Sequence, residues 1–190
     1  ERHMMQEMFL SAARPFYHSA DMLELTAIAP DIYIPFIVGH FLKRNRQIEV
    51  ADVERVYTLF KGHTFYIQKT FNEAFADTPE GEICTLEMIR AAINNMIAAN
   101  DTIFREILSN IPEKQKELLY AIAKDGEAER ITSGSFIKRH SLTSASSVQS
   151  AVKKLLEKDI ITEINKVFSV TDKLFSMWIN QIYGNKSIFL

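Results

Sequence analysis

The chain has 190 residues, of which 47% are apolar and 24% charged, a balance typical of a globular protein. It contains no run of about 18 uninterrupted apolar residues, which excludes a membrane-spanning helix at the level of sequence. The single Cys84 cannot form a disulfide within the chain, so we predict a cytoplasmic protein. Only six glycines and five prolines interrupt the sequence, which favours a helix-rich fold.

The start of the chain and its charge distribution add two expectations. No apolar stretch follows the start, so we predict no signal peptide there. The first residue is not Met, and we interpret the chain as a fragment of a longer protein, with a cloning scar at His3-Met4 as the alternative. Residues 1–111 carry ten basic and fifteen acidic side chains, whereas residues 112–190 carry twelve and nine. A mildly basic C-terminal part suits contact with nucleic acid, although DNA-binding domains usually carry a denser basic patch.

Helical periodicity dominates residues 1–111 and predicts a helical bundle. We expect helices over residues 50–60 and 64–76, and one long helix of about seven turns over 86–111 that Thr85 caps. An earlier helix tolerates Pro35 only in its first turn. Inward-facing positions of the three shorter helices are Phe36, Ile37, His40, Phe41, Val53, Val56, Tyr57, Phe60, Ile67, Phe71 and Phe75.

Residues 112–190 predict three helices, two strands and a last helix, the order of a winged helix-turn-helix domain. Two short β-branched runs, 160–164 and 167–170, are joined by Asn165-Lys166, a two-residue hairpin turn. Asp172 caps the last helix, which carries Trp178. The predicted fold is therefore mainly α-helical with a small β-wing: a lid-like bundle over 1–111, then a winged helix over 112–190.

The third helix of this domain is the predicted recognition helix. Ser146 and Gln149 have the spacing of a capping box at its start. Small hydroxyl groups allow close approach to a major groove, Gln can pair with adenine, and Lys can reach phosphate or guanine. The same surface also suits a protein partner or plain solvation. The candidate DNA- or partner-binding residues are Ser146, Ser147, Gln149, Ser150, Lys153, Lys154 and Lys166.

Catalytic signatures are missing from the sequence. None of the six glycines precedes a Lys, so there is no Walker A motif, and neither Gly-x-Ser-x-Gly nor His-Glu-x-x-His occurs. Five dispersed histidines and one cysteine give no zinc cluster. We therefore predict that this chain is not itself an enzyme and holds no metal, cofactor or catalytic residue of its own.

Several short motifs resemble one protein family. Residues 14–25 read Arg-Pro-Phe-Tyr-His-Ser-Ala-Asp-Met-Leu-Glu-Leu, and residues 62–68 read Gly-His-Thr-Phe-Tyr-Ile-Gln, similar to that family's Gly-x-Pro-Phe-Tyr element. The segments Pro-Glu-Lys-Gln at 112–115, Thr-Ser-Gly at 132–134 and Ser-Ala-Ser-Ser-Val-Gln at 144–149 resemble its terminal winged helix. The chain thus resembles the C-terminal part of an archaeal-type or Bacteroides P-loop ATPase of the AAA+/STAND class.

This resemblance implies that an N-terminal nucleotide-binding domain, missing here, binds ATP with Mg²⁺ in the parent protein. The bundle would be the lid that closes over the nucleotide. Gly62, His63 and Thr64 would lie beside it at a helix N-terminus, which favours negatively charged ligands. Thr64 replaces the family's Pro, and we expect it to act as an N-cap. Gly62 also fits an ordinary helix stop.

The resemblance therefore predicts a regulatory fragment, in which the lid couples nucleotide state to a winged helix that binds DNA or a protein partner. The alternative is a stand-alone winged-helix transcriptional regulator whose residues 1–111 bind a small ligand or form a dimer. The upstream reading frame separates the two hypotheses. A Gly-x-x-x-x-Gly-Lys-Ser/Thr motif there supports the ATPase, whereas a start codon near Met4 supports the regulator.

Overall fold

The computed structural model describes residues 26–184, and the motif at 14–25 lies outside them. The helices of the described part are α1 Pro30–Leu42, α2 Val50–Leu59, α3 Thr64–Asp77, α4 Leu86–Ala99, α5 Asp101–Ser109, α6 Glu113–Asp125, α7 Gly134–Arg139, α8 Ala145–Glu157 and α9 Lys173–Tyr183. The strands are β1 Gln47–Ile48, β2 Ile83–Cys84, β3 Ala128–Glu129, β4 Ile161–Ile164 and β5 Val167–Val170. The predicted fold class, mainly helical with a small wing, is confirmed. Within residues 26–184, every helix is too short or too polar to cross a bilayer.

The bundle core follows the predicted helical stripes in α2 and α3, where Val53, Val56, Ile67 and Phe71 are buried. The expected face of α1 was partly wrong. Tyr33, Ile37 and Phe41, spaced four apart, point inward, so Phe36 beside this stripe is 63% exposed.

The expectation for Pro35 was also wrong. Pro30 occupies the start of α1, and Pro35 lies well inside the helix. Because Pro35 has no N–H, the backbone carbonyl of Asp31, four residues earlier, loses its helical hydrogen bond. Both Pro35 and Asp31 are exposed to solvent. Water can therefore satisfy the freed carbonyl.

The predicted long helix over 86–111 is wrong, because the chain breaks at Asn100 into α4 and α5. Asn100 leaves the helical conformation (φ −102°, ψ 3°), and its side-chain amide donates to the Met96 carbonyl at 2.8 Å. Asn competes with helical hydrogen bonds in this way, which favours helix ends. The apolar period continues across the break, since Met96 and Phe104 are both buried.

The winged helix forms as predicted, with one strand more. The β4–β5 hairpin turns at Asn165 and Lys166, both with positive φ (52° and 66°), as in a type I′ turn. Strand β3 pairs with β5 and gives a sheet of order β3-β5-β4. Two residues are too short for an alternating pattern, so the sequence gives no signal for β3.

Helix α9 joins the two parts of the molecule. Trp178 is 2% exposed, and its indole N–H donates to Asp101 Oδ1 of α5 at 2.8 Å. The Phe104 ring of α5 lies 5.8 Å from the Trp178 ring, centroid to centroid. On its other side, Asn180 donates to the Ala123 carbonyl of α6 at 2.7 Å. The buried core consequently runs from the bundle into the winged helix.

Candidate functional site

The wing separates two cavities because its side chains alternate between two faces. Residues that pair directly across antiparallel strands point to the same face of the sheet. Thr162 pairs with Ser169, and both line a cavity of about 720 Å³ next to the bundle. Glu163 pairs with Phe168, and both line a second cavity of about 710 Å³ next to α8. We call the first the junction cavity and the second the recognition groove.

The junction cavity lies where the bundle meets the winged helix. The bundle contributes the α2–α3 turn and the first residues of α3, including Gly62, His63 and Thr64. The winged helix contributes wing residues and the start of α9, including Asp172 and Lys173. The three residues that resemble the family's nucleotide-adjacent element therefore share one cavity with the base of the wing.

Gly62 combines a left-handed backbone with too little space for a side chain. The N–H of Gly62 bonds to the Tyr57 carbonyl and that of Lys61 to the Thr58 carbonyl, which is a Schellman stop for α2. Gly62 has φ +75°, and a Cβ there would lie 2.8 Å from both Ala27 Cβ and Tyr57 Oη. The turn is therefore held rigidly against its neighbours.

We expect Gly62→Ala to destabilise the chain by about 1–3 kcal/mol, since it adds backbone strain and a clash at once. Urea unfolding followed by circular dichroism measures the change. Gly81→Ala is the matched control, because Gly81 has φ +85° but no atom within 4 Å of a Cβ. Equal losses in the two variants would contradict the role of packing at Gly62.

The prediction that Thr64 caps α3 was wrong. His63, in an extended conformation, holds the N-cap position without a capping side-chain bond, and Thr64 is the first helical residue. Thr64 thus occupies the position where proline is favoured at a helix start. Because His63 does not cap the helix, the N-terminal N–H groups of α3 stay available to a ligand or water.

Two polar contacts tie the junction cavity together. The Tyr66 hydroxyl of α3 donates to Asp172 Oδ1 at 2.8 Å, and the same oxygen accepts the N–H groups of Leu174 and Phe175. Burial, followed by the bond to Asp172, raises the pKa of Tyr66. Lys61 forms an ion pair with Glu127. The first turn of α3 is consequently bonded to the cap of α9, directly after the wing.

Two lysines meet carboxylates at the junction cavity. Lys173 is partly buried there, and burial followed by the nearby charge of Lys61 lowers its pKa. Glu127, which pairs with Lys61, acts on the pKa of Lys173 in the opposite direction, so a carboxylate of the chain already offsets part of the repulsion between the two lysines. The uncapped start of α3 adds its positive end to the same space.

The recognition groove has an apolar floor and a charged rim. Ile131 is buried, and Val152, Leu156 and Phe168 are partly buried at its base. The rim consists of Glu129, Arg130, Thr132, Gln149, Lys153, Glu163, Asn165 and Lys166. Within residues 26–184, the side chains of Lys153, Lys166 and Arg130 form no hydrogen bond or close ion pair, although the Glu157 carboxylate interacts electrostatically with Lys153.

The predicted contact residues divide between the groove and the rest of α8. Gln149, Lys153 and Lys166 line the groove together. Lys154 does not, and its ammonium pairs with Glu157 at 2.8 Å. Two further candidates, Ser147 and Ser150, also lie outside the groove lining.

The capping box predicted for Ser146 and Gln149 was wrong. Ser144 is the N-cap of α8, with its Oγ accepting the Ser147 N–H at 3.2 Å. Ser144 is fully extended (φ −166°, ψ 163°), the conformation that a cap needs, whereas Ser146 is already helical. The Ser146 hydroxyl lies 3.1 Å from that of Ser144.

Several residues of both cavities were not predicted from the sequence. Tyr66 and Asp172 are 106 positions apart, so no local pattern joins them. Phe168 and Glu163 could have been assigned to one face from the alternation of the hairpin once its register was set. Ile131 and Glu129 belong to the β3 region, which has no sequence signal.

Comparison with known proteins agrees with this architecture. Residues 102–181 match the family model described as "probable winged helix domain". The fold is similar to that of the Walker-type ATPase of Pyrococcus abyssi, with a TM-score of 0.64 and 12% identity over 94% of this chain. The chain spans 49% of that ATPase. No curated protein matches significantly. The chain thus contains a winged helix domain after a helical bundle, an arrangement with a counterpart in an ATPase.

Proposed function

We propose that this chain is the lid and winged-helix part of a P-loop ATPase, and that its lid passes the nucleotide state to the winged helix. The winged helix then binds its partner in one nucleotide state better than in another. The observation that carries this proposal is the junction cavity, in which Gly62, His63 and Thr64 lie beside the wing. A similar fold within a Walker-type ATPase supports the same assignment.

The junction cavity supplies a physical route for this coupling. A shift of the α2–α3 turn changes the Tyr66–Asp172 bond, and Asp172 caps the helix that follows the wing. A packed interface of this kind tends to switch between discrete arrangements rather than deform gradually. The uncapped start of α3 opens into the cavity and suits an acidic group of the nucleotide-binding domain or a phosphate.

Hydrogen–deuterium exchange on the longer protein tests the proposal. The reading frame that includes this chain and its upstream sequence is expressed, and exchange of residues 161–170 is compared with ADP and with a non-hydrolysable ATP analogue. We expect the exchange of the wing to differ between the two nucleotides. Equal exchange in both states, with nucleotide shown to be bound, would rule out the coupling.

A matched pair of tyrosine variants separates coupling from general stability. Tyr66→Phe removes the hydroxyl that meets Asp172, and we expect it to reduce the nucleotide-dependent difference in the wing. Tyr120→Phe is the control, because Tyr120 is a partly buried tyrosine of α6 that stacks on Tyr183 outside the junction cavity. The control should leave the difference unchanged.

We expect the 190-residue chain alone neither to hydrolyse ATP nor to bind it tightly. The sequence has no phosphate-binding loop, which normally supplies most phosphate contacts. Calorimetric titration with Mg²⁺–ATP measures this directly. A dissociation constant below about 1 μM, equal to about 8 kcal/mol of binding free energy, would contradict the prediction.

A further inference from the structure

The recognition groove differs from a surface built for DNA. Its floor presents the partly buried side chains of Val152, Leu156 and Phe168, which a sugar–phosphate backbone cannot cover well. Apolar surface removed from water stabilises a complex by roughly 25 cal/mol per Å². An occupant that fills this floor must therefore carry apolar side chains of its own.

The charges on the rim also favour a polypeptide over DNA. Glu129 and Glu163 stand beside Lys153, Lys166 and Arg130, and Glu157 neutralises Lys154 on the same helix. Duplex DNA carries one negative charge per about 1.7 Å of its axis, so both carboxylates of the rim would repel it. A polypeptide can offer a carboxylate to the lysines and a basic group to the glutamates.

We propose that the recognition groove binds a segment of a partner protein, in which an aliphatic or aromatic side chain lies between an acidic and a basic residue. The apolar side chain packs on Val152, Leu156 and Phe168. The acidic residue meets Lys153 and Lys166, and the basic residue meets Glu163. This inference rests on the proposed function in one respect, because it names the class of partner that the winged helix binds there.

Selection from a peptide library tests this on the 190-residue chain itself. A phage-displayed library of 12-residue peptides is selected on the immobilised chain, and the enriched peptides are synthesised and titrated by fluorescence anisotropy. We expect an enriched motif with one apolar residue flanked by opposite charges. Absence of any enriched peptide that binds in solution would overturn the proposal.

Charge reversal locates the selected peptide. Lys153→Glu should weaken binding at least tenfold, about 1.4 kcal/mol, and changing the acidic residue of the peptide to Lys should restore it. Lys154→Glu is the matched control, since Lys154 is the next residue of the same helix but lies outside the groove lining. Leu156→Gln tests the floor, with circular dichroism to verify folding. Selected peptides that bind Lys153→Glu and Leu156→Gln unchanged would place their site elsewhere and overturn the proposal.

Duplex DNA is the competing outcome. A random duplex of about 20 base pairs is titrated at about 50 and 200 mM salt, and we expect no salt-dependent binding at protein concentrations where the peptide saturates. Duplex binding that competes with the peptide, and that weakens when Lys153 and Lys154 are both replaced by Ala, would overturn the inference in favour of DNA. These assays need no nucleotide, so their failure is distinct from failure of the lid coupling measured by exchange.

Discussion

Trp178→Ala should lower the free energy of unfolding by about 3–5 kcal/mol, the largest single effect we expect outside the two cavities. Trp178 is 2% exposed and lies against Phe104 and Phe175. Its removal leaves a large cavity between α9 and α5, and Asp101 loses the indole N–H. Trp178 is the only tryptophan, so urea unfolding should be followed by circular dichroism.

Trp178→Phe gives the matched comparison for this prediction. Phe keeps much of the apolar volume but cannot donate to Asp101, which retains its bond from Arg105 at 2.8 Å. We expect its cost to be well below that of the alanine variant, because the cavity is smaller. An unchanged stability of Trp178→Ala would mean that α9 does not support the core.

Asp172→Ala should lower the free energy of unfolding by about 2–4 kcal/mol, because the Asp172 side chain both caps α9 and accepts the hydrogen bond of Tyr66. Loss of a helix N-cap costs about 0.5–2 kcal/mol, here at the N–H groups of Leu174 and Phe175. The partly buried Tyr66 hydroxyl also loses its acceptor, which costs about 1–3 kcal/mol if no water replaces it. Chemical unfolding of the variant measures the sum.

Asp172→Asn and a double-mutant cycle with Tyr66→Phe separate the two contributions. Asn caps helices about as well as Asp and keeps an oxygen for Tyr66, so this variant should lose far less. In the cycle, the losses of Asp172→Ala and Tyr66→Phe should not add, because both remove the same bond. Additive losses would show that the Tyr66–Asp172 bond contributes nothing to stability.

Local signals predicted most of the individual elements. Thr85 and Asp172 cap the helices expected of them, and the buried faces of α2 and α3 follow their apolar periods. The hairpin turn at Asn165-Lys166 was also predicted correctly. Each of these features depends on residues within a few positions of one another, where spacing alone carries the information.

The errors and omissions arise where the local signal is ambiguous or where residues far apart in the chain decide the structure. The break at Asn100 was missed because the apolar stripe crosses it, and the cap of α8 was assigned to Ser146 because neighbouring serines offer equivalent hydroxyl groups. The two cavities depend on contacts between distant parts of the chain. Spacing could not predict that the Gly62 turn faces the wing, since this placement depends on contacts such as Tyr66 with Asp172, 106 positions apart.

The alternation of side chains along the wing has a consequence for how this protein can diverge. Thr162 and Ser169 point to the junction cavity beside the bundle, whereas their chain neighbours Glu163 and Phe168 point to the recognition groove. Substitutions at 163 and 168 can therefore alter the recognition groove without altering the wing surface that meets the bundle. If the proposed coupling holds, a change of partner needs substitutions at only two positions of the hairpin and leaves the contacts that carry the coupling unchanged.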